Sequence, residues 1–432
     1  MKLQNVAIIG SGGRENSLAW AIAKNDAIKN IYLVPGNAGS DNLQKCERVF
    51  IDFFDTKNLV EKLIYLDIEL VVIGPETPLA KGLGDILRSK NFLVFGPGCD
   101  GAKLESSKAW AKDFMREENI PTSDYWEISS IQDAKEIIFS QPKPLVVKAD
   151  GLASGKGVFI CQTREETIKI TKEILDGKFG DEGKVVVLEE KIEGPEVSVF
   201  AITDGHKYIL LPTAQDHKRI GEGDKGLNTG GMGAYSPTPL ITDDMLQEIN
   251  NKIIRPTING LIKRNINYRG VIYFGLMITD NGPKVIEYNC RFGDPECQTI
   301  MPLMDKNFVI FLHDAANGNL KSDLGMIHST KVSGCVITTS AGYPLNYETG
   351  FTIDLNQPKS DDIQIFHSGT AINNSGNLVT SGGRVLTIVC QDDNFDGVFK
   401  KIYSFLENVH YKGIFYRKDI GYQVRKSFSQ DN

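Results

Sequence analysis

Residues 284 to 296 read Lys-Val-Ile-Glu-Tyr-Asn-Cys-Arg-Phe-Gly-Asp-Pro-Glu, and side chains able to do chemistry are concentrated there. A strand's two-residue alternation puts Val285, Glu287, Asn289 and Arg291 on one face, with Ile286, Tyr288 and Cys290 on the other. A carboxylate and an amide oxygen one pleat apart form a hard, oxygen-rich site of the kind that holds Mg²⁺ against polyphosphate. Arg291 adds a planar cation suited to phosphate or carboxylate. Gly293-Asp294-Pro295 then turns the chain, placing a loop beside that face. An edge strand with a solvated polar face would show the same alternation, so the companion motifs must separate the two readings.

Three companions occur upstream. Lys148-Ala-Asp-Gly-Leu-Ala-Ser-Gly155-Lys156-Gly157 has the glycines and lysine of a phosphate loop but the wrong spacing, and β-prone residues follow it where a P-loop needs a helix. It reads instead as a glycine-rich flap between two strands, with Lys148 at its base and Lys156 at its tip. A surface hairpin with incidental lysines would look similar. Residues 185 to 192 run from buried strand to polar segment, and Glu189-Glu190-Lys191-Ile192 with Glu196 could meet an adenine and a ribose diol, or be a solvated strand end. Gly10-Ser-Gly12-Gly13-Arg14-Glu15 lies between strand and helix, as a phosphate-binding turn or a merely structural one. It is not the dinucleotide fingerprint, whose third glycine would fall at Glu15.

These groups need elements to hold them. The chain has 432 residues, enough for about three domains, and 41% of them are hydrophobic, ample for buried cores. A net charge of -7 disfavours nucleic acid or an acidic membrane as the main partner. Seven cysteines without a C-x-x-C pair suit reduced cytosolic thiols. The opening apolar run is too short for a signal core or a membrane span, so no targeting segment is expected. Residues 6 to 9, 31 to 34, 70 to 73 and 92 to 95 read as parallel strands, with helices expected over 17 to 24 and 79 to 88. A polar helix over 107 to 118 leads into β-rich runs at 145 to 148, 158 to 161, 185 to 190 and 196 to 202. Strands over 331 to 339 and 384 to 389 precede an amphipathic helix carrying Val398, Phe399, Ile402, Phe405, Leu406 and Val409.

Taken together, the two-lysine flap, the Glu-Glu-Lys-Ile hinge and the late Glu-x-Asn strand resemble the ATP-grasp carboxylate-amine ligases. Within them, Arg291-Phe-Gly-Asp-Pro-Glu-Cys-Gln298 is similar to the signature of the phosphoribosylamine-glycine ligase family. Pro35-Gly-Asn37, Gly74-Pro-Glu76, Gln215-Asp216-His217-Lys218, Asp224 to Pro237 and Gly342-Tyr-Pro344 also resemble its segments. Asn16 departs from the pattern, which has His there, and that puts one contact near the sugar phosphate in doubt.

The resemblance implies an α/β and α+β multidomain chain. Residues 1–103 would form an N-terminal parallel α/β unit, 104–328 an ATP-grasp domain with a mobile lid over about 122–191, and 329–432 a small α+β unit. It implies ATP-dependent joining of glycine to 5-phosphoribosylamine through glycyl phosphate, with Mg²⁺ or Mn²⁺, in a cytoplasmic monomer that binds neither nucleic acid nor membrane. Lys108, Lys148, Gly155, Lys156, Glu189, Glu190, Lys191, Ile192 and Glu196 would meet ATP, and Glu287 and Asn289 the metal. Gly12, Gly13, Arg14, Glu15, Asn37, Asp216, His217, Lys218, Gly230, Gly231, Met232, Gly233 and Gly293 would line the amine and glycine side. Arg291, Asp294 and Lys156 would be the catalytic groups. A different ATP-grasp ligase, or a nucleotide-binding regulator without turnover, are the rival readings.

Overall fold

The computed structural model describes residues 3–152, 157–321, 327, 329–356 and 362–426. The chain opens on a five-stranded parallel sheet in the order Cys46–Arg48, Asn30–Pro35, Asn5–Gly10, Leu70–Ile73, Leu93–Phe95. Its central strands are apolar on both faces because both are covered: Ala7, Ile9 and Val71 face one core, Val6, Ile8, Leu70 and Val72 the other. The strand order reverses between Asn5–Gly10 and Leu70–Ile73, so a crevice opens at the carboxyl ends of these strands. The loops after Gly10, Pro35 and Ile73 meet there.

Two helices differ from expectation. The first spans Gly13–Ala23 and starts several residues early, because the Glu15 carboxylate accepts the Gly12 N–H at 2.7 Å and closes the first turn. The single helix expected over 79 to 88 is two, Glu76–Ala80 and Leu83–Ser89, divided at Gly82 with φ 78°.

Helix Lys108–Glu117, capped by the Ser107 hydroxyl on the Trp110 N–H, leads into the central region. There an antiparallel sheet in the order Tyr125–Ile128, Val186–Glu189, Val146–Ala149, Val158–Ile160 carries the flap between its last two strands. A second antiparallel sheet runs Tyr208–Leu210, Glu196–Thr203, Gly270–Thr279, Gly282–Asn289. A β-bulge interrupts its last pairing: Gly275 faces Glu287, but the neighbouring Leu276 faces Val285. The extra residue, Ile286, shifts the phase. Val285 therefore joins Tyr288 and Cys290 in the core instead of sharing the Glu287 face, and Ile286 turns to the cleft with Glu287 and Asn289.

The third sheet takes the order Gln215–Asp216, Gly233–Ser236, Val332–Thr339, Arg384–Asp392, Ile363–His367. Its first two strands come from the middle of the chain. The fully buried strand Gly233–Ser236 needs a partner on each side and finds one in Val332–Thr339. Helix Phe395–Leu406 covers this sheet with Val398, Phe399, Ile402 and Leu406, while Val409 lies past its end in a short strand.

The last residue of strand Ile363–His367 rests on the N-terminal unit. Its backbone N–H donates to Asn16 Oδ1 at 3.0 Å, its carbonyl accepts from Asn37 Nδ2 at 2.6 Å, and its ring lies 3.0 Å from the Thr370 hydroxyl. Burial lowers the His367 imidazole to about 4. The folded state thus resists a proton that the unfolded chain accepts below about 6.5, and stability is lost as pH falls from 6.5 towards 4. The loss expected from this group is on the order of 3 kcal/mol. Urea titrations across that window should show it, and His367→Gln, though less stable at neutral pH, should show a shallower acid slope; an identical slope would contradict the assignment.

Candidate active site

A cavity of about 220 Å³ lies between the flap sheet, helix Lys108–Glu117 and strand Gly282–Asn289. Lys108, Lys148, Glu189, Asp216, Lys218, Gly230, Glu287, Asn289, Arg291, Gly293 and Asp294 line it, so the flap base, the Glu-x-Asn strand and the Arg-Phe-Gly-Asp loop do meet. Gly155 and Lys156 lie outside the described residues.

The lysines are already engaged. Lys148 Nζ donates to the bulged Ile286 carbonyl at 3.0 Å and lies 2.7 Å from Glu189 Oε1, in ion contact but off the line of a hydrogen bond. Glu189 Oε2 accepts from Ser123 Oγ at 2.8 Å and lies 2.8 Å from Lys112 Nζ in ion contact, while Lys112 donates to Thr122 Oγ1 and Ser123 Oγ. Burial alone would raise the Glu189 carboxyl, but Lys148 and Lys112 outweigh it and hold the group below its ordinary value. Burial lowers Lys112 to about 8, with Glu189 opposing. The Glu189 side chain is therefore a buried link between the flap sheet and helix Lys108–Glu117. Glu190 is exposed, its N–H bonded to the Asp124 carbonyl, and Lys191 and Ile192 are half-buried. Lys108 Nζ donates to the Gly151 carbonyl at 2.5 Å. Its pKa is lowered by burial despite Glu105 and Glu287.

Opposite the lysines lies a basin of carboxylates. Lys218 Nζ is 2.6 Å from Glu196 and 3.8 Å from Glu287. Burial disfavours its charge, yet Glu196, Asp216 and Glu287 raise its pKa well above the ordinary lysine value. Asp216 is pushed up by burial and by Glu296, Glu196 and Glu287, with Lys218 opposing. Glu287 is held low: burial would raise it, but Lys218, Lys148, Lys108 and Arg291 prevail. It is an ionised carboxylate facing the cavity beside the Asn289 amide. Arg291 is gripped by Glu105 at 2.8 Å and Glu76 at 3.3 Å, and despite burial these two raise its pKa.

The N-terminal loop is tied internally by Glu15. Glu15 accepts the Gly12 N–H and pairs with Arg14 at 2.6 Å, and a methyl group on Gly74 would stand 2.0 Å from its Oε1. The glycines leave room for Glu15, since a methyl group at Gly10, Gly12 or Gly74 would crowd its carboxylate. Arg14 is buried and donates to the Phe292 carbonyl at 3.1 Å. Gly13 abuts Ser368 and Gln298. Asn37 Nδ2 is bonded to the Ser11 and His367 carbonyls. His217 is outside the cavity wall: its buried ring accepts the Gly421 N–H at Nε2 (3.0 Å) and faces Asp224 through Nδ1 (3.4 Å), and burial lowers its pKa. Met232 is core of the C-terminal unit, and Gly233 pairs with Val336. Gly231, at φ 109°, lets the 230 loop press on Pro295, where a methyl group would come within 2.4 Å.

Sequence reasoning missed Glu105, Lys112 and Arg384 and left Glu76 without a role. Lys112 had a signal, standing one helical turn beyond Lys108. Arg384, whose Nη1 is 3.2 Å from Asp294 Oδ1, had none nearby in the chain.

A cleft between an antiparallel sheet and a carboxylate-bearing strand, following a parallel α/β unit, is the arrangement of an ATP-grasp ligase. The biotin carboxylase domain of the 2-oxoglutarate carboxylase of Hydrogenobacter thermophilus, solved with MgADP, shares the fold: TM-score 0.74 at 16% identity, over 96% of this chain and 92% of that one. Residues 4–105, 106–297 and 333–423 match the N domain, the ATP-grasp (A) domain and the C domain of phosphoribosylglycinamide synthetase. The phosphoribosylamine-glycine ligase of Nostoc sp. is 42% identical over 421 residues, 97% of this chain and 99% of that protein. The crystal structure of the phosphoribosylamine-glycine ligase of Thermotoga maritima superposes with a TM-score of 0.82 at 34% identity, over 96% of this chain and 99% of that one. The chain belongs to the phosphoribosylamine-glycine ligase family.

Because Glu189 neutralises two buried ammonium groups, Glu189→Gln should cost about 3–5 kcal/mol in urea unfolding, whereas Lys112→Met, which leaves Glu189 paired with Lys148, should cost clearly less. Equal losses would show that the carboxylate is not the hub.

Proposed function

We propose that this chain joins glycine to 5-phosphoribosylamine at the expense of ATP, forming glycinamide ribonucleotide, ADP and phosphate in purine biosynthesis. Family membership supports the substrates. The observation that carries the chemistry is Glu287, an ionised carboxylate facing the same cavity as Asn289, Lys148, Lys108 and Arg291.

Glycine's carboxylate is a poor acyl donor. One of its oxygens attacks the γ-phosphorus of ATP, the bond to the bridging β-oxygen breaks, and ADP leaves with the electron pair. The phosphoribosylamine nitrogen then attacks the acyl carbon, loses a proton, and expels phosphate as the C–O bond breaks. Neither step requires a protein nucleophile. The protein positions the reactants and neutralises charge. In this reading Lys108 and Lys148 face the phosphates, residues 189–192 offer backbone to the adenine, and Glu196 meets the ribose. Arg291, held in one orientation by Glu105 and Glu76, lies where phosphate and glycine carboxylate meet. Asp216, Lys218, Gly230 and Asp294 form the acceptor side.

A divalent cation fits Glu287 and Asn289. The donors are oxygen, and the carboxylate is ionised without a proton to displace. Among the described residues no group of three or more His, Cys, Asp or Glu forms a closed cage. That suits Mg²⁺ or Mn²⁺ arriving with the nucleotide, whose phosphates and waters complete the shell and whose charge the ion offsets. We further propose a cytoplasmic monomer acting without nucleic acid or membrane, with 1–103, 104–328 and 329–432 as its working units and 122–191 as the lid. Among the described residues no helix is long and apolar enough to cross a membrane, and the net charge of -7 favours local anion sites over polyanion binding.

ADP release by the purified protein should require glycine, phosphoribosylamine and a divalent metal together. Release that is equal without glycine, or absent with both substrates, would defeat the assignment. Glu287→Gln should lower kcat by about 10²-fold while circular dichroism stays that of the parent; an unchanged rate would return that strand to a structural role.

A further inference from the structure

The strand Arg384–Asp392 belongs to the C-terminal unit, yet its first side chain reaches the cavity wall. Arg384 Nη1 donates to the Gly230 carbonyl at 2.5 Å and to the Asp294 carbonyl at 2.9 Å, and pairs with Asp294 Oδ1 at 3.2 Å. Gly230 and Asp294 both line the cavity. The same C-terminal unit supplies the Tyr343 hydroxyl, which accepts the Gly230 N–H at 3.0 Å. Gly231 presses on Pro295, so the two loops form one wall with Arg384 bonded across their junction.

The effect on Asp294 is asymmetric. Oδ1 accepts from Gln298 Nε2 at 2.7 Å and faces Arg384, whereas Oδ2 makes no hydrogen bond among the described residues. Oδ2 looks towards the Gly12 loop, where a methyl group on Gly12 would stand 3.6 Å from it. A carboxylate pinned by one oxygen and open at the other suits an incoming amine, which offers N–H donors. We propose that Arg384 is a positioning residue for the amine substrate: it fixes the Asp294 carboxylate and the Gly230 loop so that Asp294 Oδ2 is presented to the phosphoribosylamine nitrogen. This rests on the reaction proposed above. All three contacts are made by Nη1, so it is the reach of the side chain and its positive charge that bring two loop carbonyls and a carboxylate to one point.

Steady-state kinetics with each substrate varied in turn test this. Arg384→Gln should raise KM for phosphoribosylamine about tenfold or more, because a small displacement of a positioning group is costly. KM for ATP and glycine should stay within about twofold, since those substrates meet other walls of the cavity. Arg384→Lys, which keeps the charge and the aliphatic stem, should fall between parent and Arg384→Gln, and decides the matter if Arg384→Gln does not fold. A folded variant with unchanged KM for the amine, or with all three KM values raised alike, would overturn the role of Arg384 while leaving the reaction intact. A parent protein without amine-dependent ADP release would overturn both.

Discussion

One half-buried cation holds the cleft together. Arg291 is gripped by Glu105 from helix Cys99–Ser106 and by Glu76 from the crevice of the N-terminal sheet, while its own backbone continues the strand that presents Glu287 and Asn289. Glu105 also accepts the Cys290 N–H at 2.8 Å, which secures the residue just before the guanidinium. Three separate pieces of chain are thus indexed to one planar group. Buried pairs of this sort give little net stability, because desolvation offsets the attraction; what they give is a single allowed arrangement. On the far side, Arg14 pairs with Glu15 and donates to the carbonyl of Phe292, the residue after Arg291. Alternating charge therefore runs from the N-terminal loop to the strand that carries Glu287, and each member would be costly to leave alone.

The same pairing shapes the glycine-rich N-terminal loop. Its N–H at Gly12 is taken by Glu15, and Glu15 is needed to balance Arg14. The same requirement recurs at the lid, where Glu189 spends its carboxylate on Lys112 and Lys148. At both places a residue type that suggests ligand contact in the sequence serves to orient a neighbour that faces the cleft or its rim. The distinction depends on what lies opposite in space, and composition does not record it.

What was legible follows from the range of the physics. The parallel opening sheet could be read because continuous apolar runs such as residues 70 to 73 have few other uses, and helix Lys108–Glu117 because its Ser107 cap is local. The chemical face of the last strand was legible, but its phase was not: the bulge at Ile286 belongs to the pairing with Gly275 and Leu276, and a single strand cannot show it. Arg384 is 90 residues from the Asp294 carbonyl it serves, and Lys112 meets Glu189 only once the lid sheet is built. Family resemblance bridged part of that distance for Asp294 and Arg291, but not for residues that work through them.

Residues 216 to 218 alternate between cavity and core, and the reason bears on the C-terminal unit. Asp216 and Lys218 both face the cavity, while His217 between them turns the other way, accepting the Gly421 N–H and facing Asp224. Asp224 is in turn paired with Arg417 at 2.7 Å, and Arg417 with Asp419. Asp216 pairs with Ala234, and the far face at His217 is bolted to residues 417 to 421. The carboxylate and ammonium groups offered to the cleft are therefore aimed by a region that does not touch it. With Tyr343 and Arg384 bonded to the Gly230 loop, the C-terminal unit backs this wall of the cavity from outside it.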